Sequence, residues 1–394
     1  MHVAIINIGS LLSGDWREPF IDANTVVTDG GLISWVGTSG GVAEEFDYCD
    51  VVIDAAGATV APGLIDSHVH VAFGDFTPRQ NTVGYLESYL HGGTTTALSA
   101  GEVHIPGRPH DLAGVKALAV AAHKCYENFR PGGMRVHAGS LLLEPGLEPD
   151  DFAAVRADGV WLCKAGFGDV EGAKDYVELV AMAKEAGLVT TLHTGGCSIP
   201  GTFPVTGEDV LDINPDISFH INGGPVAIED RYYDMIAKTE IGMQVCAAGN
   251  LRTGILAAEA AHRHDAFDRL LIGTDTPTGS GIMPLGMLYT IIHMAAVSDL
   301  DVAHLIGAAT GNVARMFGLN NGMISVGRDA DLIVIDAPLG GTKHTALDAM
   351  KNGDMIAVGA VITDGVPRFV GRSRNTPPTT RPITVSRSSV LREF

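Results

Sequence analysis

The chain is short of basic residues: 26 lysines and arginines stand against 46 aspartates and glutamates, a formal net charge of −20. That balance argues against nucleic acid or an anionic membrane as a partner, because phosphates would be repelled. Cysteine is scarce and odd in number, with Cys49, Cys125, Cys163, Cys197 and Cys246 scattered and no C-x-x-C pair. This excludes a disulfide framework and predicts free thiols in a reducing, cytoplasmic compartment. No apolar run reaches the roughly 20 residues of a membrane span. The start, Met1-His2-Val3-Ala4-Ile5-Ile6-Asn7-Ile8, alternates like a strand and lacks the basic region and cleavage site of a signal peptide. No solenoid-type repeat is present. What is abundant is apolar side chain, 46% of 394 residues, enough for a large catalytic domain and a smaller one. The 49 glycines are dispersed and imply many tight turns.

Residues 1–60 read as all-β, with short runs such as Val3–Ile8, Thr25–Thr28, Ile33–Val36 and Val51–Asp54 between turn signals. From residue 61 strands alternate with helical segments such as Asp111–Phe129, Ala173–Ala186 and Ile228–Lys238, the mark of parallel βαβ units. Eight strand candidates end near His70, Ala100, Ser140, Lys164, His193, His220, Ala247 and Asp275. Eight such units over roughly 250 residues fit an α/β fold of the (β/α)8 TIM-like barrel type. Helices over Pro284–Val297 and Asp301–Phe317 follow. A second β-rich stretch, 322–371, then includes Gly322–Gly327, Ala330–Asp336 and Val358–Thr363 with the turn Asp364-Gly365. The expected organisation is a composite β-sandwich from 1–60 and 322–371, a barrel over 61–321, and an Arg-rich extended tail over 372–394. That tail could wrap the body or a neighbouring subunit, and it suggests a homo-oligomer.

His68 and His70 close the first barrel strand. In extended chain, alternate side chains share a face, so both imidazoles point the same way. A His-x-His alone is weak, and a single histidine at a strand end is more often a rim residue. Asp275 alone could cap the helix after it. Yet the fourth strand ends in Lys164, the fifth in His193, the sixth in His220 and the eighth in Asp275. Barrel chemistry gathers at the C-terminal strand ends, and imidazoles with a carboxylate are divalent-metal ligands. Zinc leads, with iron, manganese and cobalt as alternatives on the same donors.

These motifs resemble the amidohydrolase superfamily over nearly the full length. They are Pro62-Gly63-Leu64-Ile65-Asp66-Ser67-His68-Val69-His70, Gly92-Gly93-Thr94-Thr95-Thr96 and Gly327-Arg328-Asp329-Ala330-Asp331-Leu332-Ile333-Val334. Within it the chain is most similar to the enamidases, hydrolases of a cyclic enamide in nicotinate fermentation. The strings carrying this are Asp75-Phe76-Thr77-Pro78-Arg79-Gln80, His104-Ile105-Pro106-Gly107-Arg108-Pro109, His193-Thr194-Gly195-Gly196-Cys197, His220-Ile221-Asn222-Gly223-Gly224 and Arg374-Asn375-Thr376-Pro377-Pro378. The resemblance implies two metal ions, one on His68, His70 and Asp275 and the other on His193 and His220. Lys164 would bridge them as an N-carboxylated lysine formed with carbon dioxide. In the enamidase pattern a glutamate stands at that place, so this chain departs there. A plain ammonium paired with an acid is the alternative for Lys164.

The implied reaction is hydrolysis of the C–N bond of a cyclic amide (lactam, cyclic imide or enamide) by a metal-bridging hydroxide. Asp275 is the catalytic residue, taking a proton and delivering it to the leaving nitrogen. Arg79 and Arg108, just past strands one and two, suit a carboxylate on the substrate, although solvation is the usual fate of a loop arginine. His104 and Asn222 are candidates for carbonyl contact. A heterocycle deaminase is the alternative, but His193 is followed by Thr194-Gly195-Gly196, without the acid such chemistry needs. A non-catalytic scaffold is disfavoured because all six ligand positions are kept.

Overall fold

The computed structural model describes residues 1–71, 79–101, 108–197, 199, 201–224, 226–277, 279 and 281–388, without the side chains of 79–83, 387 and 388. Two parallel sheets carry the functional residues. One is ordered Arg135–His137, Thr94–Ser99, Leu64–Val69. The other runs Ser140–Leu142, Leu162–Ala165, Val189–His193, Ile217–Phe219, Gly242–Cys246, Leu270–Gly273. These strands are apolar on both faces because helices cover the outside and a second core fills the inside. Flanking helices include Arg79–Leu90, Leu112–Glu127, Tyr176–Glu185, Leu251–Arg263 and Gly286–Val297.

The sheets meet at both edges. Arg135–His137 runs into Ser140–Leu142 through Ala138 and Gly139. At the other edge the Asp275 N–H donates to the His68 carbonyl and the His70 N–H to the Thr276 carbonyl, each at 2.8 Å. Between the sheets Ile65, Leu98, Leu162, Ile217, Phe219 and Leu271 pack with Val313 and Phe317 of the helix Gly311–Phe317. Ile65, Ile217 and Leu271 lie near their strands' starts, so the C-terminal ends remain for polar chemistry.

The helix expected over Asp301–Phe317 is two, Val302–Ala308 and Gly311–Phe317. The break falls where the Ala309 carbonyl accepts the Ile65 N–H at 2.9 Å. Thr310 leaves helical geometry (φ −138°, ψ −90°).

Strands from both chain ends form two further sheets. Thr384–Ser388, Val51–Asp54, His2–Ile6, Thr25–Asp29 and Leu32–Gly37 make one. Val366–Val370, Ala357–Thr363, Leu332–Asp336, Thr59–Pro62, Ser10–Leu12 and Phe20–Ile21 make the other. They share an apolar core that includes Val3, Ile5, Ile53, Val60, Val334 and Ile362. The stretch read as a tail thus lays Thr384–Ser388 antiparallel along Val51–Asp54. Gly322–Gly327, read as a strand, is a series of turns instead. Gly322 and Gly327 sit at φ +78° and +87°, which bends the chain, and the N–H groups of Ile324 and Gly327 donate to Ser13 and Ile33. The following Asp329 and the hairpin Asp364 pair with Arg135 at 2.5 and 2.7 Å, fastening these sheets to a parallel strand. Among the described residues no helix is long and apolar enough to cross a membrane.

Candidate metal centre

His68, Lys164 and His193 sit in the last residues of their strands, while His70, His220 and Asp275 follow within two residues of theirs. All six are buried; Asp275, the most open, is 8% exposed. The backbone is bent to bring them together. His220 (φ 34°) and Asp275 (φ 60°) both lie in the left-handed region, where a side-chain-bearing residue costs on the order of 1–3 kcal/mol. The Gly223 N–H to the His220 carbonyl (2.6 Å) and the Asp275 N–H to His68 hold these turns. Gly166, at φ +115°, has to be glycine: a Cβ there would lie 2.4 Å from the His193 Cβ.

One ligand atom each from His68, His220 and Asp275 falls within 4.8 Å of the others. Asp275 Oδ1 lies 3.2 Å from His68 Nε2 and 3.1 Å from His70 Nε2. His193 Nδ1 and His220 Nε2 face each other at 3.1 Å.

The proton positions follow from partners that can only accept. His193 Nε2 lies 2.9 Å from the Gly196 carbonyl, so it carries the hydrogen. His220 Nδ1 lies 3.0 Å from the Thr194 carbonyl and carries its own. In the neutral rings the two facing nitrogens therefore both present lone pairs. Burial, the largest influence, pushes His68 and His193 down to about 4 and His220 well below the usual imidazole value. Neutral imidazole is the ligating form. Two lone pairs at such a distance repel unless a cation lies between them, so the residues fit a divalent metal. Burial alone would raise the Asp275 carboxyl, yet His68 and His70 beside it hold it well below the usual carboxylate range.

Lys164 Nζ is buried and has no hydrogen-bond partner among the described residues; it lies 4.3 Å from the Phe219 ring centroid. Desolvation brings its pKa down to about 7. The Phe167 ring packs on His193, with centroids 4.8 Å apart.

The expected substrate contacts fare differently. His104 and the Arg79 side chain lie outside the described residues. The Arg108 guanidinium is buried, ion-paired with Glu144 and donating to the Phe167 carbonyl at 2.5 Å and to Pro109 at 2.8 Å. Glu144 Oε2 also accepts the Asp169 N–H at 2.6 Å. The carboxamide of Asn222 is spent on main chain, accepting from Cys246 N–H (3.0 Å) and donating to the carbonyls of Cys246 and Asn250 (3.1 and 3.2 Å). Both residues fasten loops at the strand ends instead of offering free polar atoms to a ligand. The physical reason is the same for each: a buried polar group must be paired, and the protein pairs these itself.

Sequence reasoning missed Glu144, Gln244 and Asp66. Glu144 carried one usable signal, a lone acid in the apolar run Leu141-Leu142-Leu143-Glu144 ending the third strand region. Asp66 accepts from Thr274 Oγ1 at 2.5 Å and from the N–H groups of Thr274 and His68 at 3.0 and 3.2 Å, tying the first strand to the eighth beside the ligands. Burial raises its pKa to about 7. Beside Asn222 and Cys246 a mostly apolar cavity of about 360 Å³ opens between Leu251, Met283, Tyr289 and His293.

Residues 142–368 match the amidohydrolase family. The chain is 42% identical to enamidase of Eubacterium barkeri over 379 residues, 96% of this chain and 97% of that one. A crystal structure of enamidase, described as a member of the amidohydrolase superfamily, superposes with a TM-score of 0.91 at 41% identity. It covers 98% of this chain and 100% of that chain. Adenine deaminase 2 of Agrobacterium fabrum is 25% identical over 327 residues, 80% of this chain and 51% of that protein.

Proposed function

The chain belongs to the amidohydrolase family, and on that premise we propose that it hydrolyses the C–N bond of a cyclic amide. The site would be two divalent metal ions held by His68, His70, Lys164, His193, His220 and Asp275. We read the parallel strands as a (β/α)8 barrel over 61–321, supported by the joined sheet edges, with a composite sandwich from 1–60 and 322–371. The observation that carries the reading is the facing pair of lone pairs on His193 and His220, 3.1 Å apart. Zinc suits this imidazole and carboxylate set, with iron, manganese and cobalt next. Five free cysteines support a reducing cytoplasm.

A divalent metal, when bound, lowers the pKa of water and polarises an amide carbonyl. The rest falls to the protein's own groups. Asp275 keeps its carboxylate ionised, with Oδ1 turned to His68 and His70. Gly279 leaves room at Oδ2, since a Cβ there would come within 2.2 Å of it. Oδ2 is thus placed to accept a proton and return it to the leaving nitrogen, which departs poorly unless protonated. Lys164, as a neutral amine, can add its lone pair to the carbon of carbon dioxide and lose one proton. The resulting carbamate would be an anion, and so would let Lys164 help hold divalent metal where an ammonium would be repelled. With Arg108 committed to Glu144, Arg79 is left as the candidate of the two arginines for a carboxylate on the substrate.

A screen of cyclic amides, with and without a carboxylate, on metal-loaded protein tests the reading. A ring-opened acid, about two metal ions per chain and a carbamate signal from isotope-labelled bicarbonate that vanishes in Lys164→Ala are expected. Ammonia from an exocyclic amine without ring opening would replace this reading with a deaminase, and a chain that binds no metal would end it.

A further inference from the structure

Gln244 lies wholly buried in the strand Gly242–Cys246, and none of the chemistry above uses it. Its carboxamide is fixed from both ends by main-chain groups that have only one role each. Oε1 receives the His220 N–H at 3.1 Å, and a backbone N–H can only donate. Nε2 faces the Ser67 carbonyl at 3.2 Å, and a carbonyl can only accept. Nε2 also donates to Ser67 Oγ at 2.7 Å, while Ser67 Oγ donates onward to the Ile272 carbonyl at 2.9 Å. The amide therefore cannot be turned over without breaking both sets.

His68 Nδ1 meets that same Oε1 at 2.9 Å. Facing an atom that must be oxygen, Nδ1 carries the hydrogen. The other ring nitrogen, Nε2, faces Asp275 Oδ1 3.2 Å away and, with the hydrogen on Nδ1, is the one that can give its lone pair to a cation. The Cys246 thiol is a third donor to Oε1 at 3.2 Å and lies 3.6 Å from His68 Nδ1, and the acceptor that competes for the imidazole hydrogen is the Asp275 carboxylate at Nε2. His193 takes its hydrogen's place from the Gly196 carbonyl of its own loop, and His220 from the Thr194 carbonyl in the loop after the fifth strand. His68 differs, because the acceptor that defines it comes from a side chain on the seventh strand.

We propose that Gln244 is the positioning residue that selects the ligating nitrogen of His68 and, through the His220 N–H and Ser67, sets the spacing of strands one, six and eight around the metal centre. This rests on the reading of His68 as a metal ligand. Without Gln244 the acceptor left for the hydrogen is the Asp275 carboxylate, 3.2 Å from Nε2, and the hydrogen would then occupy the ligating nitrogen. Groups behind a ligating histidine commonly change metal affinity by about 10–100-fold when removed.

The test uses the full chain with isotope-labelled histidine. Gln244→Leu leaves three buried donors without an acceptor, and Gln244→Glu keeps an acceptor oxygen at the same place. In the metal-free protein, long-range proton–nitrogen spectra are expected to show a hydrogen on His68 Nδ1 in wild type and Gln244→Glu. In Gln244→Leu they should show the hydrogen shifted toward Nε2, which faces Asp275. The His68 signal is assigned by its absence from His68→Gln. Zinc titration against a competing chelator is expected to give a Kd about 10–100-fold weaker for Gln244→Leu. Should the leucine variant not fold, Gln244→Asn, one methylene too short to reach His68, takes its place. A folded leucine or asparagine variant that keeps the hydrogen on His68 Nδ1 and binds zinc within twofold of wild type would overturn the proposal. If wild type binds no zinc while the tautomer still shifts, the role of Gln244 stands and the metal reading falls.

Discussion

Replacing Arg108 by alanine separates two jobs for that residue, holding a carboxylate of the substrate or holding Glu144. Glu144 is fully buried and the Arg108 side chain is 2% exposed, so the pair is out of reach of water. Removing the guanidinium strands a buried carboxylate, which typically costs about 3–5 kcal/mol. Two partners of Glu144 persist, the Asp169 N–H at 2.6 Å and the half-exposed His110 at 3.3 Å. The expectation is therefore the lower end, about 3 kcal/mol. The neutral double variant Arg108→Met with Glu144→Gln keeps an acceptor for the Asp169 N–H and buries no charge. Its cost should be about 1 kcal/mol, far less than the single variant. Urea unfolding at constant slope reads the difference. Because Arg108 also holds the Phe167 carbonyl, and the Phe167 ring packs on His193, kcat should fall alike for cyclic amides with and without a carboxylate. An Arg108→Ala protein that loses under about 1 kcal/mol yet raises KM only for carboxylate-bearing substrates would refute this account.

Asp275→Asn is expected to lower kcat by about 10²–10⁴ while the protein still binds metal, since the amide oxygen can ligate but cannot take a proton; kcat within tenfold of wild type would contradict the assigned role. Free zinc at a hundred times its Kd should add about 2.7 kcal/mol of unfolding stability per bound ion, because it binds the folded chain and not the unfolded one. A thermal scan with and without chelator measures it, and identical curves would count against the site. His137, half-buried against Trp161, is lowered from 6.5 to about 4 by desolvation and then by Arg135 and Arg130. It is neutral in the fold, so its contribution is complete above pH 6.5 and is lost as pH falls toward 4. His137→Phe should therefore gain on wild type in unfolding midpoint as pH drops through that window, and a gap independent of pH would show that His137 is not the group responsible.

Much of the architecture was legible in the sequence because strand ends announce themselves. Apolar runs such as Val189–His193 and Leu270–Gly273 stop where a polar side chain must leave the core, and those stops were the candidate ligands. Less legible were irregular joints. The Ala309–Thr310 break depends on a carbonyl drawn to Ile65, some two hundred and fifty residues earlier, and no local pattern foretells it. Arg108 and Asn222 show the same difficulty in the site. Both sit in loops that look open to solvent in one dimension, yet Glu144 and the Cys246 backbone lie against them in three.

Residue type and period alone determined which side chains reach one end of the parallel strands: His68, His70, Lys164, His193, His220 and Asp275. Only the tertiary structure decided which nitrogen of each imidazole faces its neighbours. That choice is made by Gln244 Oε1 and the Gly196 and Thr194 carbonyls. The reason is the directionality of hydrogen bonds. A histidine's two nitrogens are equivalent in the sequence, and only an acceptor brought in at a defined angle, here from 176 residues away for His68, makes them different.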